Sequence, residues 1–134
     1  MSEIADFLRA RYAEQRTLAE AAAEDAGKEW SPGDEHLSSS VNDAVTRTAV
    51  VIGPWEYLDW GLRRHVAAHD PAAVLADLDA KLAIVDLMER MLDVAEGDAE
   101  VDHYGGLSAA EETLCRLAQP FAGHADHKGE EWKP

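Results

Sequence analysis

The sequence predicts a mainly α fold: a four-helix single domain with a possible small two-stranded β element. Two long stretches, 3–26 and 71–96, carry apolar residues at spacings of three and four, which is the period of an amphipathic helix. Two shorter stretches, 54–69 and 108–118, show the same period. The segment 28–52 lacks it and is rich in turn-forming residues. A chain of 134 residues is long enough for one domain with its own core.

Helix boundaries follow from capping residues and prolines. Ser2 can cap the first helix, and Gly27 can end it. The residue before a proline disfavours helical backbone, so Asp70-Pro71 should stop the 54–69 helix and start the 71–96 helix. Asp70 can then accept a hydrogen bond from an early N–H of that helix, and Gly97 provides its stop.

The rest of the chain is less regular. Ser108 to Glu111 forms a capping-box pattern that opens the last helix. In the tail, 119–134, we expect the aromatic residues Phe121 and Trp132 to dock. Residues 49–52 are β-branched and predict a strand, paired with either 44–46 or 40–41, so that a strand pair lies near 41–52.

Charge and cysteine content limit the function classes. A formal charge of −15 argues against nucleic acid or an anionic membrane as a partner. This negative charge fits three interpretations: it keeps the protein soluble, it attracts a protein partner with a basic surface, or it mimics the backbone of a nucleic acid. One cysteine cannot form an internal disulfide, and there is neither a secretory signal nor a bilayer-length apolar run, so we expect a cytoplasmic protein. A homo-oligomer remains open.

Four residues form a candidate metal site: His65, His69, Cys115 and His124. Two histidines four apart on a helix point the same way and can share one zinc ion. A thiolate and a third imidazole from the C-terminal region would complete a tetrahedral set, with His127 or His103 as substitutes.

A structural interpretation of the same residues stays open. His65 and His69 flank a helix end, where a histidine can bond the last carbonyls. Cys115 is then a small core residue, and His124 bonds within the tail. A nucleophilic role for Cys115 is less favoured, because catalytic thiols need an electropositive setting. The paired carboxylates, such as 111–112 and 130–131, are explained as solvated helix faces.

The aromatic residues Trp55, Tyr57 and Trp60 are candidate partner-binding residues. Trp55 and Tyr57 are two apart and cannot share one helical face, so one of them is exposed or is covered by the 28–49 segment. Exposed aromatic side chains beside Arg63 and Arg64 are typical anchors of protein interfaces.

Three stretches of the sequence form a set: the opening helix (4–12), a His-x-x-x-His-Asp-Pro-Ala-x-Val-Leu segment (65–75) and an aromatic-Ala-x-His…Glu-Glu-Trp-basic-Pro tail that follows a cysteine-containing helix (115–134). Together they resemble an uncharacterised family of short proteins from actinobacteria and their phages. The chain departs from the family pattern at Gly123, Ala125, His127 and Gly129. The resemblance implies an actinobacterial or phage setting and brings no established activity.

Two function classes follow. The first is a small acidic cytoplasmic binding or regulatory protein that acts through protein–protein contacts, without catalysis or cofactor. The second is a zinc protein whose His/Cys site joins the second helix to the tail, in a structural or hydrolytic role. We favour the first, because every candidate catalytic residue has a sufficient structural role.

Overall fold

A computed structural model describes residues 2–36, 38, 40–52, 58–97 and 105–134. This part of the chain contains four α-helices: α1 (Glu3–Ala26), α2 (Trp60–Ala68), α3 (Pro71–Gly97) and α4 (Gly106–Ala118). A small sheet consists of β1 (Trp30–Ser31), β2 (Ser40–Asp43) and β3 (Ala49–Ile52). Two 3₁₀ turns, Gln119–Phe121 and Gly129–Trp132, shape the tail. The mainly α class is therefore confirmed.

The two long helices begin where the sequence predicts. α1 has the expected bounds, and Gly27 follows it in the left-handed conformation, at a φ of +81°. At the start of α3, the Asp70 carboxylate accepts a hydrogen bond from the Ala73 N–H at 2.8 Å. The predicted cap is confirmed, and α3 includes Gly97 rather than stopping before it.

The prediction of one continuous helix over 54–69 is wrong in its first part, and residues 54–57 lie outside the described residues. Leu58 and Asp59 are not helical, and α2 begins at Trp60. Leu58 is buried with Val41 and Ala67 in a core cluster, so the chain enters the helix only after this side chain has reached the core. Helical periodicity alone could not reveal this, because an apolar residue just before a helix fits the same pattern.

The capping box predicted for the last helix does not form. α4 begins at Gly106, so Ser108 lies inside its first turn, and no side chain caps the helix. Gly105 occupies the N-cap position at a φ of +71°. Its carbonyl accepts the Ala109 N–H at 3.1 Å. A glycine tolerates this left-handed backbone, and the helix therefore starts two residues early.

The β element is a three-stranded antiparallel sheet in the order β1-β2-β3, not a two-stranded one. Val41 pairs with Val51, so of the two predicted pairings the one with 40–41 is right. Residues 44–46 form a turn instead, in which the Asp43 carboxylate accepts the N–H groups of Val45 and Thr46. The Thr46 N–H, as the main cause, lowers the pKa of Asp43.

The described chain forms two compact units, each with its own buried side chains. The central unit comprises residues 15–78 and includes β1, β2, β3 and α2. The terminal unit comprises residues 1–14 and 79–134 and includes α4 and the tail. The single-domain prediction stays a prediction. None of the helices within the described residues is long and apolar enough to cross a membrane.

In the terminal unit, α1 and α3 are joined by an ion-pair network around Arg9. Its guanidinium contacts Asp86 at 2.7 Å and Glu89 at 2.6 Å. The Ser2 N–H also donates to Glu89 at 3.1 Å. Arg9, as the main cause, lowers the pKa of Glu89. The first turns of α1 are therefore held against the second half of α3 within this unit.

Candidate functional site

The two histidines of the predicted metal site lie at the end of α2 in the central unit. Their ring centroids are 4.5 Å apart, so the expected proximity of His65 and His69 is confirmed. Nδ1 of His69 lies 2.8 Å from the carbonyl oxygen of His65 and donates to it. This is the contact that the structural interpretation predicts for a histidine at a helix C-terminus.

The other two predicted ligands, Cys115 and His124, belong to the terminal unit. Nδ1 of His124 accepts the Asp126 N–H at 3.1 Å, and the Arg11 guanidinium lies against the same ring, with Nη1 2.8 Å from Nδ1. A metal cation on His124 would have to displace this guanidinium, because two cations repel at such a distance. The hydrogen bond within the tail agrees with the structural interpretation.

No three His, Cys, Asp or Glu side chains within the described ranges are grouped so that they could hold a metal ion. The substitute ligand His103 lies outside those ranges, while His127 accepts the Gly129 N–H through Nδ1 at 3.0 Å. The zinc site stays a prediction.

Of the predicted partner-binding residues, Trp55 and Tyr57 lie outside the described residues. Trp60 opens α2 and is half-buried. The Arg63 guanidinium lies 5.0 Å from its ring centroid, and that of Arg64 lies 5.9 Å away. Both arginines therefore stack on the tryptophan that the sequence places beside them.

Arg63 is buried in the central unit, where its side chain is only 1% exposed. Nη1 donates to the carbonyl oxygens of Pro32 at 3.0 Å and Asp34 at 3.1 Å, and Nη2 donates to that of Glu35 at 3.2 Å. One buried cation thus ties the loop after β1 to α2. Arg64 is exposed and lines a shallow cleft of about 550 Å³ with His65, Trp30, Pro32 and Gly61.

The tail docks in the terminal unit through an aromatic cluster around Phe7 of α1. The Phe7 ring contacts Phe121 and Trp132 at centroid distances of 6.1 and 5.0 Å. It also contacts the rings of His124 and His127, each at 5.8 Å. Trp132 is 7% exposed, and the predicted docking of both aromatic anchors is confirmed.

The terminal unit also contains a cleft of about 550 Å³ between the first turn of α1, the end of α3, α4 and the tail. Its apolar walls are formed by Ile4, Leu92, Leu107, Leu114 and Trp132. Three carboxylate residues, Asp93, Glu111 and Glu131, line it together with Ser2 and Cys115. Apolar walls with a few convergent polar groups are the usual composition of a binding cleft.

The electrostatics of this cleft are seen at Cys115. Burial, followed by the charges of Glu111 and Glu112, raises the pKa of its thiol. A raised pKa leaves the thiol protonated at neutral pH, where it is a poor nucleophile. The charge of Glu111, which lines the cleft, would also attract a cation.

Glu111 and Glu131 are exposed, as the sequence pattern predicts for solvated faces, but the pattern does not reveal that both line this cleft. The sequence signal is weak: Glu131 precedes the aromatic anchor Trp132, and Glu111 lies one turn before Cys115. Their neighbours Glu112 and Glu130 are almost as close to these residues along the chain, so the pattern does not separate the two pairs. All four glutamates of these two pairs are exposed. Glu112 and Glu130 pair with Arg116 and Lys133 and do not line the cleft, while Glu131, which lines it, lies 3.8 Å from Lys128 Nζ.

Comparison with known proteins identifies a family. The model of a family described as "Family of unknown function (DUF6221)" matches residues 1–134, and the chain belongs to that family. Comparison of the chain with curated proteins and with solved structures found no match.

Proposed function

We propose that this member of a family of unknown function is a non-catalytic binding protein whose terminal-unit cleft receives a basic segment of a partner protein. One observation carries the proposal: apolar walls and three carboxylate residues line the same cleft of about 550 Å³. The complementary ligand has an apolar body and a positive charge. A lysine or arginine side chain next to an aliphatic or aromatic residue has both.

The net charge supports the same choice of partner. A formal charge of −15 attracts a basic protein over a long range and repels nucleic acid and anionic membranes. This long-range attraction speeds up the association of the two proteins, while the cleft provides the short-range contacts. An accessory role in an actinobacterium or a phage is compatible with this activity.

Binding without catalysis is favoured by the state of the one thiol. The raised pKa of Cys115 disfavours the thiolate that nucleophilic catalysis needs. In the same cleft, the carboxylates can recognise a cation through their charge. A cytoplasmic location fits the single free thiol.

Peptide-display selection on the immobilised full chain tests the proposal. We expect enrichment of peptides in which lysine or arginine adjoins a large apolar residue. The double variant Glu111→Gln/Glu131→Gln should lose at least tenfold in affinity for a selected peptide, since charge-assisted bonds contribute about 1.5–3 kcal/mol each. The control Glu112→Gln/Glu130→Gln makes the same change in net charge at the neighbouring residues outside the cleft.

Cys115 provides a footprint of the bound peptide. It lines the cleft and is the one cysteine of the chain, so a bound peptide should slow its alkylation by iodoacetamide. Equal affinity losses in the two double variants, or unchanged alkylation at saturating peptide, would rule the cleft out as the binding site.

The zinc alternative rests on the proximity of His65 and His69. Native mass spectrometry of untagged protein, with and without chelator, tests it. One zinc per chain, lost in both His69→Ala and Cys115→Ser, would support it, and metal-free folded protein would refute it.

A further inference from the structure

In the terminal unit, α3 presents large apolar side chains to solvent. Ile84 is 40% exposed, Leu87 46%, Met91 37% and Val94 58%. Val85, on the opposite side of the helix, is fully buried. The helix therefore has one apolar face that its own unit covers and a second that it leaves open. We call the four exposed residues the α3 seam.

The spacing of the seam fits another helix. Successive members are three, four and three residues apart, which is the a-d-a-d pattern of a heptad repeat. An average of 3.5 residues keeps such a stripe facing a partner helix along its length. The stripe covers about one and a half heptads, and a second helix laid along it can contact all four members.

The flanks of the seam determine which helix fits. The positions beside it that would face a partner are 83, 88, 90 and 95, and three of them are uncharged: Ala83, Met88 and Ala95. The acidic residues Asp86 and Glu89 lie away from the seam and pair with Arg9 of α1. A second copy of this chain therefore meets no carboxylate at these positions, despite its net charge of −15.

We propose that the α3 seam packs against the α3 seam of a second copy, forming a reversible homodimer. The apolar pattern is the same on both copies, and the flanking positions carry no carboxylate and a single charge, that of Arg90. The surface can therefore be self-complementary, as a two-fold interface requires. The seam is about 16 Å long at 1.5 Å per residue, which is short for a permanent dimer. We therefore expect a weak dimer with a dissociation constant in the micromolar to millimolar range.

Sedimentation velocity over a range of protein concentrations tests the proposal. The wild-type chain should shift from monomer to dimer as its concentration rises. Leu87→Asp should raise the dissociation constant at least tenfold, because it places a charge at the centre of the seam on both copies. Leu18→Asp is the matched control, since Leu18 is 71% exposed on α1 outside the seam.

Val94→Lys alters the most exposed seam residue and keeps the test decisive if Leu87→Asp does not fold, as judged by circular dichroism. The cleft variant Glu111→Gln/Glu131→Gln should dimerise like the wild type, so the cleft and the seam are tested separately. A wild-type chain that stays monomeric at millimolar concentration, or a dimer that both seam variants leave intact, would overturn the proposal.

Discussion

Replacing Arg63 by alanine should destabilise the central unit, because this side chain holds the loop after β1 against α2. The variant removes three hydrogen bonds to carbonyl oxygens and the buried part of the side-chain stem. The exposed neighbour Arg64 offers a matched control, since both guanidinium groups stack on the Trp60 ring.

The magnitude follows from the contacts. At about 1 kcal/mol net each, the three hydrogen bonds contribute about 3 kcal/mol. Loss of two methylenes adds about 1.6 kcal/mol. The cost of burying a guanidinium whose Nε has no hydrogen-bond partner in the described structure offsets part of this sum. We expect the free energy of unfolding to fall by about 3 kcal/mol in Arg63→Ala and by less than about 0.5 kcal/mol in Arg64→Ala.

Urea unfolding followed by circular dichroism and by tryptophan fluorescence measures these losses. If the two units unfold in separate transitions, tryptophan fluorescence can assign the loss of stability to one of them. Trp30 and Trp60 lie in the central unit, and Trp132 lies in the terminal unit. Arg63→Lys should recover little, since one ammonium cannot reach three carbonyls as the planar guanidinium does. Equal losses for Arg63→Ala and Arg64→Ala, or full recovery with lysine, would refute the reasoning.

Three further perturbations test the terminal unit. Phe7→Ala should lower the free energy of unfolding by about 3–5 kcal/mol and expose the tail to limited proteolysis, because the Phe7 ring contacts both aromatic anchors. A tail that is cleaved no faster in the variant would show that Phe7 does not hold it. Glu89→Gln should destabilise the protein most at neutral pH. The lowered pKa of Glu89 means that its ionised form stabilises the fold at pH values above its ordinary pKa of 4.5. This stabilisation is lost as the pH falls through the lowered pKa. The loss measured by urea unfolding should therefore shrink in acid, and a loss independent of pH would disprove the role of Arg9. Glu111→Gln should speed the alkylation of Cys115 near pH 8, because one of the charges that raise the thiol pKa is gone. An unchanged rate would show that the charge of Glu111 does not contribute to the raised pKa.

Helical periodicity and capping residues were enough to predict the two long helices. The apolar stripes of α1 and α3 repeat over six or more turns, so local pattern and tertiary packing agree there. The same logic failed at the short elements. Leu58 fits a helical stripe but is buried ahead of α2, and β1 is too short to show any alternation. Local patterns of a few residues cannot distinguish between such alternatives.

The candidate site was predictable only in part. The anchors Phe121 and Trp132 could be identified because large aromatic residues are uncommon in a tail that stays solvated and unpacked. The burial of Arg63 could not, since a lone arginine on a helix is exposed far more often than buried. Its carbonyl partners are about thirty residues away in the chain, and no short-range pattern encodes that distance.

The sequence by itself determined the helical class, the boundaries of α1, the Asp70 cap of α3 and the acidic charge, because these depend on local composition and period. Only the tertiary structure decided which charges face a common cleft and which apolar residues of α3 remain uncovered. Glu111 and Glu112 are neighbours of identical chemistry, yet one lines the cleft and the other pairs with Arg116. The direction of each side chain relative to distant elements separates them, and that direction exists only once the chain has packed.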